Sequence, residues 1–173
     1  PVWDSVKNRW VWLAVNLVTA FVSSRVIGMF EGSIAQIVAL ATLMPIVAGI
    51  GGNSGNQTIT MIVRSLASSQ ISNAQAFRLL KKELGVALVN GLIWGSVMGL
   101  VSFALYHNVG IGLVMVAAMT LNLLLAAFLG VMIPVCMEKW GKDPARGSSV
   151  LITAFTDSGG FLIFLGLATI FLL

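Results

Sequence analysis

Residues 111–137 read IGLVMVAAMTLNLLLAAFLGVMIPVCM, an apolar run with no charged side chain, with Asn122 and Pro134 inside it. The hydrocarbon core of a bilayer is about 30 Å thick and takes roughly 20 helical residues to cross, so this stretch reads as a transmembrane helix. Working outward, a short turn at His107 to Gly110 separates it from an apolar span over about 84–106. A charged loop from Glu138 to Arg146 separates it from another over 149–173. Toward the N-terminus, apolar segments at about 10–26 and 33–63 complete the set. The sequence therefore predicts an all-α membrane protein, with five transmembrane helices in a single transmembrane domain over residues 1–173. Composition agrees: 58% of the 173 residues are hydrophobic and only 9% are charged, against about 25% charged in a soluble domain. A cytosolic enzyme is excluded, and the length leaves no room for a second, soluble domain.

Charge sorts by loop. Lys7 and Arg9 precede the first span, Arg64, Arg78, Lys81 and Lys82 lie between the second and third, and Lys139, Lys142 and Arg146 lie between the fourth and fifth. Arg25 alone falls at the other side, near Glu31. Basic loops stay cytoplasmic, which predicts a cytoplasmic N-terminus and an outer C-terminus, as an odd number of spans requires. The formal net charge of +4 needs no nucleic-acid partner, because basic loops beside anionic lipid account for it. Trp3, Trp10 and Trp12 sit where amphipathic aromatics anchor a first span. Between spans two and three, Ser72 to Gln75 has capping-box spacing, and Phe77, Leu79 and Leu80 form the apolar side of an expected short interfacial helix. The single cysteine, Cys136, excludes an intrachain disulfide. The opening polar stretch from Pro1 lacks the pattern of a secretory signal, and the chain reads as part of a longer one.

Enzyme signatures are absent: the sequence has no His-Glu-x-x-His, no Walker loop and no Gly-x-Ser-x-Gly. The one histidine, His107, reads as an interfacial polar residue. The informative side chain is Asp157, in Thr153-Ala154-Phe155-Thr156-Asp157-Ser158-Gly159-Gly160, roughly 13 Å inside the fifth span. An ionised carboxylate at that depth costs about 2.5–3.5 kcal/mol even on an insertion scale. All ten Lys and Arg lie at span ends or in loops, so an intrachain salt bridge is not at hand. Three options stay open: a proton, a polar neighbour such as Asn53 or Asn56, or a cation in a wet cavity.

A second feature interrupts the 33–63 segment, which contains Pro45. The run Gly51-Gly52-Asn53-Ser54-Gly55-Asn56-Gln57 is expected to loosen the helix and free backbone carbonyls, which membranes tolerate only where the backbone is buried in protein or lines water. Close helix packing through Gly51 and Gly55 is the other reading, and both can hold at once. Gly91, Gly95 and Gly99, and the pair Ala126 and Gly130, predict further tight helix contacts.

Taken with Lys82-Glu83, Gly85 and Gly91 at the start of span three, and with Asp143-Pro144 ahead of Thr156-Asp157-Ser158-Gly159-Gly160, the Gly51–Gln57 string resembles the transmembrane domain of the MgtE magnesium channel/transporter family. The resemblance extends over essentially the whole chain. It implies a homodimer with the pore on its two-fold axis, lined mainly by spans two and five, and Mg2+ held by Asp157 from both subunits. It also implies support from Asn53, Thr153 and Gly160, a pore lined by Gly52, Asn56 and Thr156, and a multi-pass protein of the bacterial inner membrane. The cytoplasmic N and CBS regulatory domains usual in such relatives are not in this sequence. Two positions depart from the family pattern: Ser148-Ser149-Val150 stands where a proline tends to precede the Asp, and Phe164 where a hydroxylated aromatic tends to follow.

The functional expectation is a Mg2+ channel that passes a largely hydrated ion into the cytoplasm between paired Asp157 carboxylates. An exchanger coupling Mg2+ to Na+ or H+, and a non-conducting membrane assembly domain, are the alternatives. None of these is an enzyme.

Overall fold

At the centre of the bundle stands the helix built from the opening stretch. The computed structural model describes residues 1–68 and 73–173, and the regular elements among them are six α-helices: α1 (Val2–Gly28), α2 (Glu31–Gln36), α3 (Ala39–Ser68), α4 (Asn73–Tyr106), α5 (Val109–Lys139) and α6 (Pro144–Leu172). Apolar on all sides, α5 is the element expected to be surrounded. Met115, Ala118, Met119, Asn122, Ala126 and Val131 on it are fully buried, and α3, α4 and α6 pack around it. In contrast, α1 packs on α6 through a single stripe that includes Trp12, Val15, Thr19 and Ser23, and most of its surface is exposed.

Local chemistry sets the ends. Asn108 caps α5 by accepting from Gly110 N at 2.8 Å and Ile111 N at 3.3 Å, and His107, at φ 52°, makes the reversal from α4. At the opposite end Gly141 takes φ 74°, and Lys142 N closes the turn onto Met137 O at 2.9 Å, a glycine-terminated helix end. Asp143 then caps α6, accepting from Ala145 N at 3.0 Å with Pro144 in the first turn, where a proline loses no hydrogen bond.

Two expectations for the second span need correction. The segment starting near residue 33 is divided: α2 ends at Ile37, whose φ −127° and ψ 85° are extended, in a β-branched Ile37-Val38 pair that favours such geometry. The glycine- and asparagine-rich run, expected to loosen the backbone, is continuous helix. Polar side chains in it and just after it bond back to their own helix, Asn56 Nδ2 to Gly52 O at 3.0 Å, Thr58 Oγ1 to Ser54 O at 3.2 Å and Thr60 Oγ1 to Asn56 O at 2.9 Å. Its glycines lie against neighbouring helices, and that packing outweighs their cost of about 1 kcal/mol each in helix propensity. The expected short interfacial helix is likewise the first turns of α4: Leu79 and Leu80 pack with Ile62, Val131 and Val135. Ser72, of the proposed capping box, lies outside the described residues.

Four helices, α1, α4, α5 and α6, are long and apolar enough to cross a membrane among the described residues. At 30 residues, or about 45 Å, α3 has the length to do so, but residues 51–57 dilute its hydropathy. Lys7 and Arg9 on α1, Arg64 on α3, Arg78, Lys81 and Lys82 on α4, Lys139 at the end of α5 and Lys142 just after it gather at one end of the bundle. That end is knitted by the Ile62–Leu79–Val135 cluster and by Trp12 against Gly147. Ser33–Thr169 at 2.6 Å and Thr42–Tyr106 at 2.9 Å tie the other end.

The contact between α4 and α5 runs on small residues. A Cβ on Gly99 would sit 2.8 Å from Gly112 O, and one on Gly112 would sit 2.8 Å from Gly99 O. Neither neighbour is a flexible side chain, so the helices meet backbone to backbone. Gly112→Ala is expected to destabilise the protein by about 1–3 kcal/mol, as overpacking does, read as a lower melting temperature in detergent. Gly166→Ala, whose methyl meets nothing within 4 Å, is expected to hold or raise it by up to about 1 kcal/mol.

Candidate ion-binding face between α3 and α6

Glycines bring α3 and α6 together. A Cβ at Gly52 would lie 3.5 Å from Thr156 Oγ1, one at Gly55 would run into the Ile152 side chain, and one at Gly160 would come 3.4 Å from Ala48 Cα. The pairs Ala48–Gly160, Gly52–Thr156 and Gly55–Ile152 run in opposite chain directions, so the seam is antiparallel. A helix turns about 100° per residue. Because the two helices point opposite ways, stepping one residue past each seam position turns both toward the same side. That side carries Gly49, Asn53 and Asn56 from α3, and Thr153 and Asp157 from α6.

The result is a polar stripe at the middle of two long helices. Asn53 and Gly49 are exposed, and Asn56, Thr153 and Asp157 are half-buried. Gln57 and Thr60, also exposed, continue it along α3. The two neighbours of Asp157 in sequence are already engaged. Thr156 Oγ1 donates to Ile152 O at 2.7 Å and approaches Thr153 O at 3.3 Å, while Ser158 Oγ pairs with Ser23 Oγ of α1 at 2.8 Å. The Asp157 carboxylate has no hydrogen bond or ion pair among the described residues. Below it, toward the basic end, a groove of about 470 Å³ between α1 and α6 is lined by Asn8, Arg9, Asn16, Ser149 and Thr153, among others. It leads up to Thr153, one turn before Asp157.

The residues singled out in the sequence thus divide. Asp157, Asn53, Asn56 and Thr153 share one side of the seam. Thr156 and Gly160, expected to line the pore or support the ion, do not share it: Thr156 is fully buried against Gly52, and Gly160 is buried against Ala48 and Asn122. Gly52 lies in the seam itself. His107 is exposed at the α4–α5 turn, and no cluster of three His, Cys, Asp or Glu forms among the described residues. Two side chains gain importance. Asn122 of α5 is buried at the seam, donating to Val47 O at 2.9 Å, its only sequence signal being a lone amide in an uncharged run. Glu83, at the start of span three in the sequence, is 8% exposed, one turn before Ala87, which packs with Leu123 and Ala127 of α5.

These features define a multi-pass α-helical membrane protein with an acid-bearing polar face between two long helices. Residues 44–167 match the family model for MgtE, divalent cation transporter, and the chain belongs to the MgtE family. It is 32% identical over 165 residues to the magnesium transporter MgtE of Bacillus subtilis (strain 168), covering 95% of this chain and 37% of that protein. The Thermus thermophilus magnesium transporter MgtE is 33% identical over 166 residues, 93% of this chain and 36% of that protein. That of Enterococcus faecalis is 29% identical over 168 residues, 97% of this chain and 37% of that protein. The chain therefore spans a little over a third of the length of these relatives.

Water access discriminates the two sides of the seam. In a Cys136→Ser background, Asn53→Cys and Thr153→Cys are expected to react with a charged, membrane-impermeant thiol reagent, while Thr156→Cys stays unmodified. Labelling of Thr156→Cys at the rate of Asn53→Cys would contradict the arrangement.

Proposed function

We propose that this chain is the ion-conducting membrane domain of a magnesium channel, with Asp157 as the residue that meets the ion. The observation that carries this reading is the unpartnered Asp157 carboxylate on a side of the α3–α6 seam that also bears Asn53, Asn56 and Thr153. Exposed amides and a carboxylate facing lipid are costly, so this side belongs against water and a second protein surface. The magnesium transporters named above support Mg2+ as the cargo.

The proposed assembly is a homodimer in which the polar sides of two copies meet across a two-fold axis. Five spans cross the bilayer, α3 among them, with the basic end of the bundle in the cytoplasm. One Asp157 from each copy gives two carboxylates, matching the charge of a divalent cation. Mg2+ releases water reluctantly, so carboxylates, the Asn53 amide and oxygens near Thr153 hold a largely hydrated ion through its water shell. Such contact is weak enough to let the ion leave, as conduction requires. Inward flux is driven by the membrane potential, worth about 2.3 kcal/mol per charge per 100 mV. Regulatory domains elsewhere in a longer chain are the proposed cytoplasmic partners.

Losing about 1.4 kcal/mol of stabilisation at a rate-setting site slows passage about tenfold. Asp157→Asn keeps the shape and removes the charge, and is expected to lower Mg2+ uptake into proteoliposomes at least that much at fixed voltage. Undiminished flux in that variant would refute the assignment. Flux that follows a Na+ or pH gradient at fixed voltage would identify an exchanger instead.

A further inference from the structure

We infer that Asn122 is a positioning residue for the proposed ion site, setting how α3 and α6 stand against each other at the level of Asp157. This rests on the reading of the α3–α6 face as that site. Asn122 lies on α5 and has no solvent exposure. Its Nδ2 donates to Val47 O of α3 at 2.9 Å. A Cβ added to Gly51 would overlap the Asn122 amide, coming 2.9 Å from its Cγ, and a Cβ added to Gly160 would lie 2.8 Å from Asn122 Nδ2. One side chain thus occupies two notches, in α3 and in α6. Gly51 is two residues before Asn53, and Gly160 is about one turn after Asp157.

The chemistry of the position argues for a constraint tighter than apolar filling supplies. Asn122 Oδ1 is buried with no hydrogen-bond partner, and an unsatisfied buried acceptor is a cost that an apolar residue of the same shape avoids. What the amide provides in exchange is direction. Bonding to one carbonyl fixes the planar group, and its flat faces fit between two glycines that tolerate no Cβ. Leucine has similar size, but its branched tetrahedral end neither anchors to Val47 O nor lies flat in both notches. Removing the amide lets α3 rotate or part from α6, and Asn53 and Asp157 move with their helices.

The test measures Mg2+ flux, the Mg2+ concentration for half-maximal flux, discrimination of Mg2+ from Co2+, and melting temperature for wild type, Asn122→Leu, Gly51→Ala and Asn122→Ala/Gly51→Ala, with Asp157→Asn alongside. Contacting residues couple strongly enough to shift an equilibrium about tenfold. Asn122→Leu is therefore expected to change half-maximal concentration or ion discrimination by about that factor. Gly51→Ala alone is expected to be impaired because its methyl overlaps the Asn122 amide, and the double variant to recover flux by relieving that overlap, while keeping the altered half-maximal concentration or discrimination of a site without the bond to Val47 O. Wild-type affinity and discrimination in a folded Asn122→Leu protein would overturn the inference, as would a double variant no better than Gly51→Ala. Should Asn122→Leu fail to accumulate, the comparison of Gly51→Ala with the double variant decides. If Asp157→Asn retains full flux, the ion-site reading fails whatever Asn122 does. If Asp157→Asn is inactive and Asn122→Leu behaves as wild type, only the positioning role fails.

Discussion

Backbone proximity between helices is the condition on which the rest of this molecule depends. Lipid tails are as apolar as leucine, so there is little hydrophobic gain in burying one apolar helix against another inside a membrane, and association relies on close van der Waals packing and interhelical hydrogen bonds. Gly91, Gly95, Gly99 and Gly112 let α4 and α5 touch through their main chains. Gly130 meets the Gly55 carbonyl of α3 and Gly160 meets the Ala48 backbone, while Gly51, Gly52 and Gly55 make room for the side chains of Asn122, Thr156 and Ile152. These contacts also explain why α3 stays helical through residues 51–56, glycines, asparagines and a serine of poor helix propensity. Each glycine that costs the isolated helix conformational entropy removes a Cβ that would hold its neighbours apart.

The same glycines decide which side chains are free. With Gly52 and Gly55 in the seam, the residues that follow them, Asn53 and Asn56, turn out of it, and Thr156 and Ile152 do the same for Asp157 and Thr153. Thr156 is buried and bonded to its own helix, and Ser158 bonds to α1. Asp157 lies between them in sequence and engages neither. The polar side is therefore a consequence of where the small residues pack.

Much of this architecture is legible in the sequence because a bilayer imposes few solutions. The run at 111–137 announces a helix by length and lack of charge, and its burial follows from being apolar all round. The glycine spacing in α4 announces close contact, which α5 supplies within the same chain. Asp157 stands out because nothing else in its span can neutralise it. Other features depend on tertiary partners that no local pattern names. The continuity of α3 through residues 51–57 is set by neighbours across the seam, and the break at Ile37-Val38 lies inside an otherwise apolar segment. Thr156 and Asp157 are adjacent letters with opposite fates, separated by one 100° turn. Glu83 follows the exposed Lys81 and Lys82 and is nonetheless buried, and Asn122 is a lone amide until Gly51 and Gly160 are seen on either side.

In the proposed dimer, charge balance across the two-fold axis lets a single acid per chain suffice for a divalent cation. Two carboxylates about 8 Å apart repel by roughly 2 kcal/mol at an effective dielectric of about 20, while a divalent cation midway between attracts each by roughly 8 kcal/mol. The empty pair is thus held apart only weakly, and the filled pair is strongly favoured before the cost of moving the ion from bulk water is counted. In the proposed site Mg2+ meets that cost by keeping its waters, which the amides of Asn53 and Asn56 and the hydroxyl of Thr153 are suited to receive. A monovalent ion between the same carboxylates would gain half the attraction and leave the pair with residual negative charge. Discrimination then depends on the separation of the two acids and the width of the space between them. Within each copy, the position of its acid depends on how α6 lies on α3, the relation in which the glycine seam and the Asn122 amide bonded to Val47 O pack the two helices.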